Sequence, residues 1–350
     1  MLPYRALFGL GPLVCLSLAN SAQAATSAGC GVQGKPTGAI KLQARDGRGT
    51  VREYEVLIPA SYTPSTPLAL TFVYHEAGGT SASAKAIGLQ SAPGAAAASI
   101  FVFPQGVPYQ SAGVGWNDSC TGYDMPFFDN MLATLEASYC IDQQRVFAGG
   151  FSWGCDHVTS LACCRGDRLR AIAAASCSDD FSEPARYQSY LNPTCAAPTP
   201  PAVRFTHALS DDNAYPSPLF ATTSALFRSW NGCSTSSTAT PPSPCRAFDG
   251  CRSPLIECAY PGLGHALSSG FSAETWSFFS SLPTTSTPTR VATIPAATSG
   301  AHVALGFLLL GAGWLGLRLS AAAGARVTSK PGAHADKKVP GERPKPARPQ

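Results

Sequence analysis

Charge is scarce in this chain of 350 residues: Asp, Glu, Lys and Arg together make up 13%, against about a quarter in an ordinary globular protein. That excludes a solvated, charge-rich, disordered polymer. Basic residues are also wrongly placed for a nucleic-acid binder. The formal net charge is +4, yet from Arg318 onward eight Lys/Arg stand against two Asp/Glu, a local +6 that leaves −2 for everything before it. The folded part therefore carries no basic face for a phosphate backbone. No Cys-x-x-Cys pair occurs, which argues against a thiol–disulfide enzyme. Adjacent cysteines such as Cys163 and Cys164 cannot easily address one tetrahedral ion, so no zinc is expected. No internal repeat is visible, and histidine is rare, with six in the whole chain.

What is present begins with an N-terminal apolar run. Arg5 precedes "ALFGLGPLVCLSLA", and Ala22-Gln23-Ala24 makes a small-x-small cleavage site, so residues 1–24 read as a secretory signal peptide. Removing it takes Cys15 and leaves twelve cysteines. An even number in an oxidising compartment predicts disulfides. At the other end, residues 282–299 are rich in Thr, Pro and Ala and read as a linker. No charged residue occurs between Arg290 and Arg318. Residues 300–319 just reach the span of roughly 20 residues that crosses a bilayer. Trp314 and Arg318 are placed for its interface, and the basic tail, 320–350, for the cytoplasmic side. A surface-tethered protein is expected.

Between these ends, 25–281, strand and helix patterns alternate. "REYEVLIP" alternates as a half-exposed strand, whereas "LALTFVY" and "SIFVFP" are continuous β-rich runs of the buried, parallel-sheet kind. "DMPFFDNMLATLEASY" predicts a helix with Asp124 as N-cap and an apolar face of Phe127, Phe128, Met131, Leu132 and Leu135. "RVFAGG" predicts the next strand, followed by a helix to about Cys164. "LRAIAAAS", "AVRFTHAL" and "LIECAY" predict three more strands. Such alternation means an α/β fold, a mainly parallel sheet with helices on both faces.

The strand "RVFAGG" runs straight into Ser152, inside Gly150-Phe151-Ser152-Trp153-Gly154, and a helix leaves it. Strand, Gly-x-Ser-x-Gly and helix together form a nucleophile elbow, a sharp turn that exposes the hydroxyl above the sheet. A serine hydroxyl needs a base, and the base needs an orienting carboxylate. In this arrangement both follow the serine in the chain, acid before histidine. His157 lies on the helix of Ser152 itself, His207 within a strand, and His302 and His334 in the anchor and tail. His265, in the Gly-flanked loop "YPGLGHAL", is the well-placed base. For the acid, Asp211 or Asp212 follows "AVRFTHAL", one strand before the histidine strand, while Asp179 and Asp180 follow the preceding strand. The oxyanion donors are expected from the N–H of Trp153 and from the loop "HEAGGT", at Glu76 or Ala77. His75 is expected to hold that loop.

From Cys30 to Phe279 the chain resembles the secreted feruloyl esterases and polyhydroxybutyrate-depolymerase-type esterases. The resemblance is carried by "LIPASY", "FVFPQG", Gly115-Trp116, "YCIDQQRVFAGGFSWG", "LRAIAA", Asn231-Gly232-Cys233, "GLGH" and "ETWSFF". It implies an α/β-hydrolase fold, a Ser-His-Asp triad and no cofactor. It also implies that the acid lies in a His-Gly-x-x-Asp pattern, which "HALSD" matches with Ala208 for the glycine, pointing to Asp211. Similar cysteines accompany the Asn-Gly-Cys motif in the family, so Cys233, Cys245, Cys251 and Cys258 are expected to brace the loop of His265. Cys155, Cys163, Cys164 and Cys177 are expected to staple the helix after Ser152. Two departures stand out: Glu76 replaces the glycine of a His-Gly pair, and Cys155 follows the motif where a small residue is usual. The implied activity is a serine ester hydrolase cleaving feruloyl or acetyl esters on plant polysaccharide, and a monomer is expected. Short-chain polyester hydrolysis and a non-catalytic surface domain on the same scaffold are the alternatives.

Overall fold

The computed structural model describes residues 25–109, 113–177, 200–211 and 218–283. The expected signal peptide, anchor and tail, with all but the first two linker residues, lie outside the described residues. Among those described, no helix is long and apolar enough to cross a membrane.

Twelve strands are described. They are β1 (Gly38–Arg45), β2 (Val51–Ile58), β3 (Leu68–Tyr74), β4 (Ser99–Pro104), the short pair β5 (Val107–Pro108) and β6 (Val114–Gly115), β7 (Ile141–Phe151), β8 (Ala171–Ala175), β9 (Ala202–Ala208), β10 (Ser237–Ala239), β11 (Cys245–Phe248) and β12 (Leu255–Tyr260). All except β5 and β6 form one sheet in the order β1-β2-β4-β3-β7-β8-β9-β12-β11-β10. From β4 to β12 every pairing is parallel, and the edge pairings are antiparallel. Parallel strands need both faces covered, and β3, β4, β8 and β9 are buried along their whole length. This is the α/β-hydrolase fold that the alternation and the resemblance lead one to expect.

Helices α1 (Ser81–Ala86), α2 (Ala95–Ala98), α3 (Asp124–Ser138), α4 (Trp153–Arg165), α5 (Pro218–Asn231) and α6 (Phe271–Ser281) connect or follow the strands. The apolar side of α3 packs with α4 residues Val158 and Leu161 on one face of the sheet, against Leu70, Phe72 and Ile172. Phe271, Trp276, Phe278 and Phe279 of α6 pack on the other face, against Phe101, Phe103 and Phe147.

Two sequence expectations need correction. The strand leading to Ser152 begins at Ile141, not Arg145. Its polar start is held by Asp142, which accepts from the Gln144 N–H and pairs with Arg145. Asp124 is not the N-cap of α3: Tyr123 holds that position and Asp124 is the first helical residue. Its carboxylate is buried, ion-paired with Arg52 and accepting the Asn117 N–H at 2.6 Å. A distant buried guanidinium outcompetes the helix end because an unpaired charge there would cost several kcal/mol, roughly 3–5. Strand β1 was not anticipated although Ile40 to Arg45 alternates apolar and polar as a half-exposed strand does; the short β5, β6, β10 and β11 carry no such pattern.

Cysteines close the frame in five described pairs: Cys30–Cys140, Cys120–Cys164, Cys155–Cys177, Cys233–Cys251 and Cys245–Cys258. Cys163 is disulfide-bonded as well. The one cluster of potential metal ligands among the described residues, Cys120, Cys163 and Cys164, therefore has its sulfurs engaged in disulfides.

Candidate active site

Strand β7 ends at Phe151, α4 begins at Trp153, and Ser152 makes the whole turn between them with φ 54° and ψ −124°. A side-chain-bearing residue at positive φ costs about 1–3 kcal/mol and persists only where its surroundings over-determine it. Those surroundings are visible. The Ser152 N–H donates to the Ala175 carbonyl on β8 at 3.0 Å, and the Ser152 carbonyl accepts the N–H of Cys155 at 2.8 Å. Gly150 and Gly154 have no room for a side chain: a Cβ on Gly150 would strike the Gly154 carbonyl, and one on Gly154 would strike the end of β3. The elbow expected from the motif is formed, and Ser152 is only 7% exposed.

The loop after β12 brings His265 over the sheet. Ser152 Oγ–H donates to His265 Nε2 at 2.9 Å, across 113 residues of sequence. On the other side of the ring, His265 Nδ1–H donates to Asp211 Oδ2 at 2.7 Å. Asp211, just beyond β9, is 6% exposed, and the His265 ring rests against Phe151 at 5.0 Å between centroids. Of the acids considered, Asp211 makes the contact; Asp179, Asp180 and Asp212 lie outside the described residues. His157 and His207 are buried elsewhere in α4 and β9. A hydroxyl bonded to an imidazole whose second nitrogen is held by a carboxylate is the arrangement that produces a serine nucleophile.

Loop 75–80 lies beside this relay. His75 is fully buried. Its Nδ1–H donates to the Glu76 carbonyl at 2.7 Å, and its Nε2 accepts the Gly106 N–H at 2.9 Å. Burial lowers its pKa, consistent with the neutral ring that these two bonds require. The Glu76 carbonyl also accepts the Gly79 N–H at 3.0 Å, and the His75 carbonyl accepts Trp116 Nε1–H at 2.9 Å. The C=O and N–H of one trans peptide point in opposite directions, so fixing these carbonyls also fixes the N–H groups of Glu76 and Ala77. Among the described residues, neither of these N–H groups nor that of Trp153 has a protein acceptor.

Cys155 is bonded to Cys177, next to the end of β8, so it is a staple beneath the elbow. Cys233–Cys251 and Cys245–Cys258 tie together the segments leading to His265, the second of them directly across the β11–β12 register. One participant was missed in the sequence. Asp118 Oδ2 accepts the indole N–H of Trp153 at 2.9 Å, and its Oδ1 accepts from His157 Nδ1 at 3.1 Å. The available signal was its position, two residues after Gly115-Trp116.

No family model matches the chain. Among curated proteins it is 35% identical over 179 residues to a probable feruloyl esterase C of Aspergillus niger, a match covering 49% of this chain and 61% of that protein. The chain thus spans about three-fifths of that relative. It is 30% identical over 273 residues to the feruloyl esterase C of Emericella nidulans, covering 73% of this chain and 91% of that one. Among solved structures, an acetyl xylan esterase from Aspergillus awamori superimposes with a TM-score of 0.53 at 16% identity, over 69% of this chain and 99% of that one. That likeness bears on the fold alone. At 30% identity over nine-tenths of that relative's length, with the elbow at its expected place, this chain belongs to the feruloyl esterase family.

Proposed function

We propose that the protein is a serine carboxylic ester hydrolase acting on feruloyl or acetyl esters of plant-cell-wall polysaccharide. The observation that carries this reading is the unbroken hydrogen-bond relay Asp211–His265–Ser152. Ser152 Oγ attacks the ester carbonyl while its proton passes to His265 Nε2. Asp211 holds the imidazole in the tautomer that leaves Nε2 free to accept, and stabilises the imidazolium that forms. The negative oxygen of the tetrahedral intermediate is met by the Trp153 N–H, at the start of α4, and by the N–H of Ala77 or Glu76. His265 then protonates the departing alcohol, and water, activated by the same ring, releases the acid from Ser152. No step calls for a metal or cofactor.

The names of the relatives support a feruloyl or acetyl ester as substrate. The cysteine usage supports secretion, and the apolar stretch 300–319 followed by a basic tail supports a surface tether. The working unit in this reading is a monomer. Ser152→Ala should abolish hydrolysis of p-nitrophenyl acetate and methyl ferulate with an unchanged circular dichroism spectrum; retained turnover would refute the mechanism. Release of ferulate or acetate from arabinoxylan, against no release of acid from a polyhydroxybutyrate film, separates this substrate class from polyester.

A further inference from the structure

We propose that Asp118 is a positioning residue that holds the Trp153 indole as one wall of a subsite for a planar aromatic acyl group beside Ser152, with Tyr109 as the other wall. The inference rests on the ester-hydrolase reading above and deepens it.

Trp153 has two separable parts. Its backbone N–H sits at the first turn of α4, whereas its side chain, half-buried, is fixed by contacts that the backbone role does not need. The indole N–H donates to Asp118 Oδ2 at 2.9 Å. The benzenoid ring lies over Gly115, where even a Cβ would come to 2.7 Å from Trp153 Cδ2. Tyr109, also half-buried, meets the indole at 6.0 Å between centroids and 77° between planes. Two rings at nearly a right angle make a corner. A third planar ring in that corner stacks on one face and meets the other edge-on, both favoured aromatic arrangements.

Asp118 is itself built in. Its second oxygen accepts from His157 Nδ1 at 3.1 Å, one helical turn beyond Trp153 on the same side of α4. Two residues later, Cys120 is bonded to Cys164 at the far end of that helix. Asp118 is 9% exposed, so its bond to the indole is largely shielded from water, and charge-assisted bonds are roughly twice as strong as neutral ones. A small or aliphatic acyl group has no ring to place in the corner, so the effect should be confined to aromatic acyl groups.

The test compares p-nitrophenyl ferulate with p-nitrophenyl acetate, which share a leaving group, on the full chain. Asp118→Ala should lower the ferulate-to-acetate ratio of kcat/KM about tenfold, through KM for ferulate and not kcat. Tyr109→Ala should move the ratio in the same direction, and Asp118→Asn, which keeps an acceptor, should fall between wild type and Asp118→Ala. Trp153→Leu should lower the ratio as much as Asp118→Ala does, and the double variant should fall no further. Equal losses on both esters, an additive double variant, or a fall in kcat alone would overturn the proposal. If Asp118→Ala does not fold, Asp118→Asn and Tyr109→Ala decide it by the same ratio. A wild-type protein that cleaves neither ester refutes the underlying ester-hydrolase reading, whereas one that cleaves both with no ratio change in any variant refutes the subsite alone.

Discussion

Gly154 lies so close to the end of β3 that a Cβ on it would come to 2.8 Å from the His75 carbonyl oxygen, and closer still to that of Tyr74. The two donors expected to face the oxyanion, on the elbow and on loop 75–80, are thus brought together by the absence of one carbon atom. Gly154→Ala should push loop and elbow apart. A shift of about 1 Å can cost on the order of 100-fold in rate, so kcat for p-nitrophenyl acetate should fall by at least that, with secondary structure intact by circular dichroism. Activity within a factor of three of wild type would mean that the loop does not contribute.

Asp211 bonds the nitrogen of His265 that faces away from Ser152. Asp211→Asn keeps the shape but offers an amide whose N–H favours the wrong imidazole tautomer, a change that costs about 10⁴ in kcat in the triad template. Steady-state kinetics should show a fall of that order, carried by kcat and not KM. Asp212→Asn, the neighbouring acid that the sequence also allowed, should lose less than threefold. A reversed ranking would reassign the acid.

His157 is buried against Trp116, Tyr74 and Asp118, and burial lowers its pKa to about 4. An unfolded histidine titrates near 6.5. Between these values the unfolded chain binds a proton that the folded chain does not, so stability should fall as pH drops from about 6.5 to 4. Above that window both forms are neutral and His157 contributes no pH dependence. The full difference is on the order of 3 kcal/mol. His75 and His207, whose pKa values burial also lowers, act in the same direction. Urea midpoints measured from pH 7.5 to 4 should decline, and His157→Gln should flatten the slope. An identical slope in the variant would show that the ring is not the source.

Cys30 and Cys140 are joined across 110 residues, and Cys245 and Cys258 across 13. Chain entropy makes the longer loop the more stabilising, about 4.7 kcal/mol for 100 residues against roughly 3 for a short one. Replacing Cys30 and Cys140 together by Ser should therefore lower the unfolding free energy by about 2–5 kcal/mol, more than the same change at Cys245 and Cys258. Urea unfolding of the two double variants checks the order.

Local patterning was enough to read Ser152. A strand, two glycines and a helix follow one another within a few residues, and the physical demand of a sharp turn is itself local. His265 could be picked out by elimination, because so few histidines exist and only one follows a late strand in a Gly-flanked loop. The buried strands β3 and β4 were legible for the same reason, as unbroken apolar β-rich runs. Position alone narrowed the acid to Asp211 or Asp212, the resemblance pointed to Asp211, and its carboxylate lies against the His265 ring.

Tertiary structure alone decided the rest. Asp124 reads as a helix cap in sequence, yet Arg52, seventy-two residues away, claims its carboxylate. Asp118 has no local signal beyond its place two residues after Gly115-Trp116, because its partners Trp153 and His157 lie on a helix that it meets only in the folded protein. The cysteine count implied disulfides, but sulfur pairs with whichever sulfur the fold brings within bonding reach, and spacing in the chain does not record that. Residues whose role is set by neighbours in sequence were determined by the sequence itself; those whose role is a contact across the sheet were left to the fold.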